Sequence, residues 1–320
     1  MDVVLALFLI LLLSVALAKS TGFVVLNVIK LAKCFSVPEF AIGFFVLGFA
    51  TSLPEIFVAV NSVIDKTPQL SLGNLLGAIF VLLTLVISLP AIFTGNVAIR
   101  KVLSTKDIVL SSFVTALPAF FSLDGNLTRV DGAVLLIFYV VYMYMLNEDE
   151  SFIEKIKSSG HSKKGALKLL LFVLVGMFGI FVFSKGVVEL SLILAEELLV
   201  PVILAGVLFL SIGTNLPEFS LAIKTITSKH KIVGIGDFLG SASMNTFVLA
   251  LLCLVSPFKV TNLEETRIIS FFVIFAVILL AVFMRTKRQL TRKEGFALLS
   301  LYLIFIFVEL YRNGVFSKVL

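Results

Sequence analysis

Long apolar runs, interrupted at near-regular intervals by short charged or turn-forming stretches, fill the chain from end to end. Runs of that length and hydropathy predict membrane-spanning helices. The interruptions mark out ten of them, over residues 3–28, 38–63, 70–92, 107–122, 130–147, 167–192, 200–226, 232–255, 267–284 and 294–312. The longest polar stretch runs from Asn147 to Lys168 and carries Glu148, Asp149, Glu150, Lys155, Lys157, Lys163 and Lys164. It reads as a solvated linker near the middle of the chain. Residues 1–147 then make one unit of five spans, 148–166 the linker, and 167–320 a second unit of five.

The two units repeat one another. A single ungapped shift of 163 residues lays Val37-Pro38 on Val200-Pro201, Gly43 on Gly206, Ala59 on Ala222, Gly73 on Gly236 and Gly77 on Gly240. The same shift lays Thr51, Leu53, Pro54 and Glu55 on Thr214, Leu216, Pro217 and Glu218. Apolar coincidences arise easily in such a chain, but coincident Pro, Gly and Glu positions do not. Five spans per unit is an odd number, so the second unit enters the membrane from the opposite side. The expected fold is an all-α polytopic membrane protein built from two inverted five-helix repeats about an in-plane pseudo-two-fold.

Composition narrows the class further. Hydrophobic residues make up 59% and charged residues 14%, with a mean hydropathy of +1.14. Soluble domains carry about 25% charged residues, so no room is left for one. The net charge of +6 is no sign of a nucleic-acid partner, because the basic residues sit in short loops between spans. With the N-terminus outside, the inner loops hold three times as many Lys and Arg as the outer ones, among them Arg100, Lys101, Arg285, Lys287 and Arg288. That bias places both termini outside a cell membrane and the 148–166 linker in the cytoplasm. Cys34 and Cys253 lack metal-ligand spacing and read as packing residues. Val3 to Ala18 could pass for a signal peptide ending in Ala16-Leu17-Ala18. Its n-region carries Asp2 and no Lys or Arg, however, and it has a counterpart starting near Leu169, so it reads as the first span.

The chemistry concentrates in Thr51-Ser52-Leu53-Pro54-Glu55 and its echo Thr214-Asn215-Leu216-Pro217-Glu218. A glutamate in hydrocarbon is expensive and marks function. A proline one residue earlier interrupts the helix ladder. Freed carbonyls beside a carboxylate at membrane depth suit a dehydrated cation. A hard divalent ion such as calcium takes about six to eight oxygens. Glu55 and Glu218 would supply its charge, Thr51 and Thr214 lie one turn earlier on the same face, and Ser52 and Asn215 add oxygens. A second wall follows, where Gly73-Asn74-Leu75-Leu76-Gly77-Ala78 matches Gly236-Asp237-Phe238-Leu239-Gly240-Ser241. Asp237, Ser241 and Asn245 form a polar stripe at i, i+4 and i+8. Their counterparts Asn74, Ala78 and Leu82 let it fade. The bland readings are a structural hydrogen bond for each glutamate and a brace at a helix start for Asp237. Lys19 and Lys185 lie in the first span of each unit, either snorkelling to an interface or lining an ion passage.

These motifs resemble those of the cation/calcium exchanger superfamily, its sodium/calcium exchanger branch most closely. The resemblance implies four central ion sites, with calcium held mainly by Glu55 and Glu218 together with Thr51 and Thr214. It implies sodium sites drawing on Ser52, Asn215, Ser241 and Asn245, and a first and sixth helix that slide to alternate access. The implied activity is secondary-active antiport of calcium against sodium, or against protons as the alternative, by a monomer in the bilayer with no cofactor and no enzymatic step. The family usually has serine and asparagine where this chain has Ala78 and Leu82, serine at Asn215 and often aspartate at Asn245. Two other classes compete. A transport-inactive relative would bind ions without exchanging them. An intramembrane aspartyl protease would use Gly234-Ile235-Gly236-Asp237, but it needs a second aspartate at depth, and Asp65, Asp107, Asp124 and Asp131 fall at span ends or in loops.

Overall fold

The structure, a computed structural model, describes residues 3–34, 47–98, 104–147, 165–227, 234–286 and 289–314. The linker at 148–164 and the repeat matches at Val37, Pro38 and Gly43 lie outside the described residues. The chain begins with the long helix α1 (Val3–Cys34). It then forms a broken segment, α2 (Leu47–Thr51) and α3 (Leu53–Ile64). Next come α4 (Pro68–Val81), a π turn over Leu82–Val86 and α5 (Ser88–Thr94). Helices α6 (Thr105–Phe121) and α7 (Arg129–Asn147) close the first part. The second part opens with α8 (Ala166–Glu197). Its broken segment comprises α9 (Val202–Ala205), a π turn over Gly206–Leu210, α10 (Ser211–Thr214) and α11 (Leu216–Thr227). Helices α12 (Gly234–Val255), α13 (Leu263–Arg285) and α14 (Arg292–Arg312) complete it.

Element boundaries recur at the same offset as the sequence motifs. Both α1 and α8 have 32 residues and both α3 and α11 have 12, each pair separated by 163 positions at either end. Four short strands extend the correspondence: β1 (Asn96–Ala98), β2 (Asn126–Leu127), β3 (Phe258–Lys259) and β4 (Gln289–Thr291). β1 pairs antiparallel with β4, and β2 with β3. Exchanging the halves turns one pair into the other.

Seven helices among the described residues are long and apolar enough to cross a membrane, and Leu53–Ile64 and Val202–Thr214 are shorter apolar helices. The broken segments fall short because each is interrupted midway, and α6, at 17 residues, stays just under a full span. The stretch from Pro68 to Thr94 covers 27 residues, about 40 Å at the helical rise. It separates two ends of the molecule. At one end Gln69 Nε2 donates to Lys259 O at 3.2 Å and Arg267 Nε to Leu123 O at 3.0 Å. At the other, β1 pairs with β4 and Arg292 N donates to Gly95 O at 3.0 Å.

Burial follows from this layering. α4 is enclosed on all sides, while α1 and α8 pack on each other and turn most of their surface outward. Glycines allow the approach of α1 and α8, since a Cβ at Gly179 would lie 3.3 Å from Ser20 Oγ and one at Gly186 2.8 Å from Leu13. Behind α4, Phe80 meets Phe305, Phe272 and Tyr302 with centroids 4.9, 5.9 and 5.9 Å apart. Glycine decides the centre too. A Cβ at Gly73 would overlap the Ile203 carbonyl oxygen, and one at Gly77 would lie 2.8 Å from Val207 Cα and Ser211 Cβ. α4 and the second broken segment therefore cross backbone against backbone.

Candidate functional site

Both breaks fall at the equivalent residue. Ser52 has φ −86° and ψ 6°, and Asn215 has φ −85° and ψ 6°. Pro54 and Pro217 have no N–H to give to the carbonyls of Ala50 and Gly213, which ends the incoming helix and restarts the next. The restart places Glu55 in the first turn of α3 and Glu218 in the first turn of α11. Helix N-termini favour negative charge there. Each glutamate is 3% exposed, so each carboxyl is held deep in an apolar molecule.

Cross-half contacts gather these residues. The Glu55 carboxyl lies beside the Thr214 side chain, which lies one turn ahead of Glu218. Thr214 Oγ1 donates to Asn74 Oδ1 of α4 at 3.3 Å. Thr51 Oγ1 and Ser241 Oγ of α12 lie 3.4 Å apart. Each broken segment thus presents its threonine to the wall helix of the other half. Ser52, Thr214, Asn215, Ser241 and Asn245 are all buried, and Thr51 is partly so. Asp237 falls in the first turn of α12, and its side chain lies outside the described residues.

Several side-chain oxygens here are buried and unsatisfied among the described residues. Glu55 Oε2, Asn215 Oδ1 and Asn245 Oδ1 are buried without a hydrogen-bond partner among the described residues. Buried polar atoms in native proteins are almost always satisfied, and these three oxygens belong to the two breaks and to α12. Asn215 shows how one of them is placed. Its Nδ2 donates to Ser211 O at 2.6 Å, which turns the amide oxygen away from the helix and towards the break.

Three residues outside the ligand set read from the sequence are brought here by the fold. Asn74 bonds Thr214, and its place opposite Asp237 in the repeat was a usable signal. Ser211, which donates to Val207 O in the π turn, has no polar counterpart in the first half, where Gly48 stands. Ser14 of α1 is buried against Gly213, and its hydroxyl has no hydrogen-bond partner among the described residues. A lone serine in an apolar helix carries no such signal, because it normally bonds its own preceding turn. Lys19 is exposed and Lys185 pairs with Glu189 at 3.7 Å.

The family model described as sodium/calcium exchanger protein matches residues 5–147 and 168–311. The chain belongs to the sodium/calcium exchanger family. Among relatives, it is 24% identical over 286 residues to the inner membrane protein YrbG of Escherichia coli, covering 86% of this chain and 88% of that one. Its fold matches the sodium-calcium exchanger NCX_Mj with a TM-score of 0.66 at 24% identity, over 95% of this chain and 98% of that one. It matches the H+/Ca2+ exchanger CAX with a TM-score of 0.71 at 16% identity, over 98% and 91%. The chain is a polytopic helical membrane protein and an exchanger-type cation antiporter. Motifs and family model thus point the same way, and the Gly-x-Gly-Asp resemblance to proteases has no support.

Proposed function

We propose that the protein moves calcium across the membrane in exchange for sodium, by alternating access around one buried site shared by two inverted repeats. The observation that carries this reading is the pair of carboxylates in equivalent helix breaks, with Glu55 reaching Thr214 of the opposite motif. Calcium sits between Glu55 and Glu218, which supply its charge, with Thr51 and Thr214 completing the shell. Sodium uses the hydroxyls of Thr51, Ser52 and Ser241 and the amide oxygens of Asn215 and Asn245. Asp237 stands at the start of α12 as a further ligand. The site faces cations alone, the protein works as a monomer, and both termini lie outside the cell membrane. The full-length likeness to a sodium-calcium exchanger supports sodium as the coupling ion.

A second reading replaces sodium with protons. Ala78 and Leu82 favour it, because the first-half wall offers no side-chain oxygen at these positions, and the fold matches that of an H+/Ca2+ exchanger with a TM-score of 0.71, against 0.66 for the sodium-calcium exchanger. The experiment is calcium-45 uptake into proteoliposomes loaded with sodium or given a pH gradient, with Glu55→Gln and Glu218→Gln alongside. Sodium-driven uptake, cut at least about 100-fold in both variants, is expected, since removing one partner from a buried charged cluster costs about 3 kcal/mol or more. Uptake driven by protons alone would select the second reading. Binding without flux under either gradient would leave a transport-inactive relative.

A further inference from the structure

α1 and α8 are repeat counterparts, but they meet the broken segments differently. Besides each other, α8 packs chiefly along α3, whereas α1 spreads over α2, α10 and α11. The two halves are therefore held in unequal arrangements.

The α3–α8 contact has its own fastening. Asn61 Nδ2 donates to Ser184 Oγ at 2.8 Å and to Phe181 O at 3.2 Å. Ser184 Oγ donates in turn to Phe181 O at 3.0 Å. Both polar side chains are fully buried, so water cannot replace these bonds cheaply when they break. One turn earlier on α3, the rings of Phe57 and Phe181 meet edge to face with centroids 6.0 Å apart.

The other half lacks these parts. The 163-residue shift gives Asn61, Ser184, Phe57 and Phe181 the counterparts Lys224, Thr21, Ser220 and Ala18. Serine and alanine make no ring pair. Both hydroxyls turn back on their own helices, Thr21 Oγ1 donating to Leu17 O at 2.9 Å and Ser220 Oγ to Leu216 O at 3.0 Å.

An in-plane pseudo-two-fold exchanges the two faces of the membrane, so swapping the arrangements of the halves turns access from one face to the other. α1 would then lie along α11 as α8 lies along α3 here, without the ring pair and with Thr21 bonded to its own turn. Resting on the alternating-access reading, we propose that Asn61, Ser184 and the Phe57–Phe181 pair form a one-sided latch. It holds the ion-free protein in the arrangement seen here and so sets the face to which the site opens at rest. Releasing it populates the opposite arrangement without touching the side chains that bind ions.

The test places spin labels at the exposed positions Leu174 of α8 and Phe275 of α13, in the full chain with Cys34 and Cys253 replaced by alanine. Pulsed dipolar spectroscopy in ion-free proteoliposomes reads their distance distribution. Two populations are expected, the larger at the spacing of this structure. Asn61→Ala should shift their ratio about threefold towards the other, the equivalent of one average polar contact between membrane helices. Ser184→Ala and Phe57→Leu should shift it the same way. Thr21→Ala, which loses only a bond within α1, should leave it alone. A ratio unchanged or moved the other way in Asn61→Ala and Phe57→Leu, whatever happens to the unfolding temperature, would reduce the contact to packing and overturn the latch. A single distance that stays the same with and without calcium and sodium would overturn the alternating-access reading, and the latch with it.

Discussion

The wall helices α4 and α12 occupy the same place in the two halves and do opposite work. α4 is locked in. Its glycines at 73 and 77 let the second broken segment lie on it backbone to backbone, and its counterparts to the polar stripe are Ala78 and Leu82. α12 keeps the stripe, with Ser241 and Asn245 buried. The comparison teaches that frame and lining are separable. Prolines and glutamates hold the two breaks alike to within a degree or so of backbone angle, while the oxygens around them have diverged.

The largest effect expected from this contrast is on folding. Gly206→Val puts a Cβ into the Leu70 carbonyl oxygen and 2.8 Å from Asn74 N. Backbone cannot move aside as a side chain can, so a loss of about 3 kcal/mol or more is expected, read as loss of the monodisperse peak in detergent. Gly240→Ala, at the equivalent of Gly77, where a Cβ would meet nothing within 4 Å among the described residues, should instead be neutral or stabilise by up to about 1 kcal/mol. If both variants behave alike in a thermal unfolding assay, the claimed asymmetry of the walls is gone.

A mid-sized effect is expected at Asn215. Asn215→Ala removes both the bond to Ser211 O and the inward oxygen. Its cost should appear mainly in ion affinity, by about tenfold, with stability changed by about 1 kcal/mol. Restoring the oxygen alone with Asn215→Ser should recover most of the affinity in a calcium-45 competition assay.

The smallest effect concerns the α3–α8 contact. Asn61 Nδ2 donates to Ser184 Oγ at 2.8 Å and Phe181 O at 3.2 Å. Its repeat counterpart in the sequence is Lys224, and that of Ser184 is Thr21 of α1, which bonds its own Leu17 carbonyl. Asn61→Ala should cost about 0.6 kcal/mol, the usual worth of a polar contact between membrane helices. Thr21→Ala should cost less in the same unfolding measurement.

Much of this architecture is legible in the chain because the informative residues are out of place. Pro, Glu, Asn and Gly stand out in an apolar run, and a repeat doubles their weight, so the breaks at 52 and 215 can be read from Pro54 and Pro217 alone. Helix ends drift by a few residues: α1 runs to Cys34 rather than 28, and α8 to Glu197 rather than 192. Apolar runs carry no mark at the point where a helix leaves the membrane for a polar interface. The π turns at Leu82–Val86 and Gly206–Leu210 were not legible. They depend on local bonds such as Thr84 Oγ1 to Phe80 O at 2.5 Å and Ser88 Oγ to Leu85 O at 2.7 Å. Serine or threonine in an apolar helix makes such bonds with or without a π turn. Ser14 escaped for a related reason, since its role comes from which helix it meets across the fold.

The central claim is that two glutamates from separate halves form one site. Equilibrium binding of calcium-45 to the purified protein in detergent, compared with Glu55→Gln and Glu218→Gln, tests it without requiring flux. The account predicts one calcium per chain, weakened at least about 100-fold by either substitution alone. Two calcium ions per chain, each surviving the loss of the other's glutamate, would contradict it.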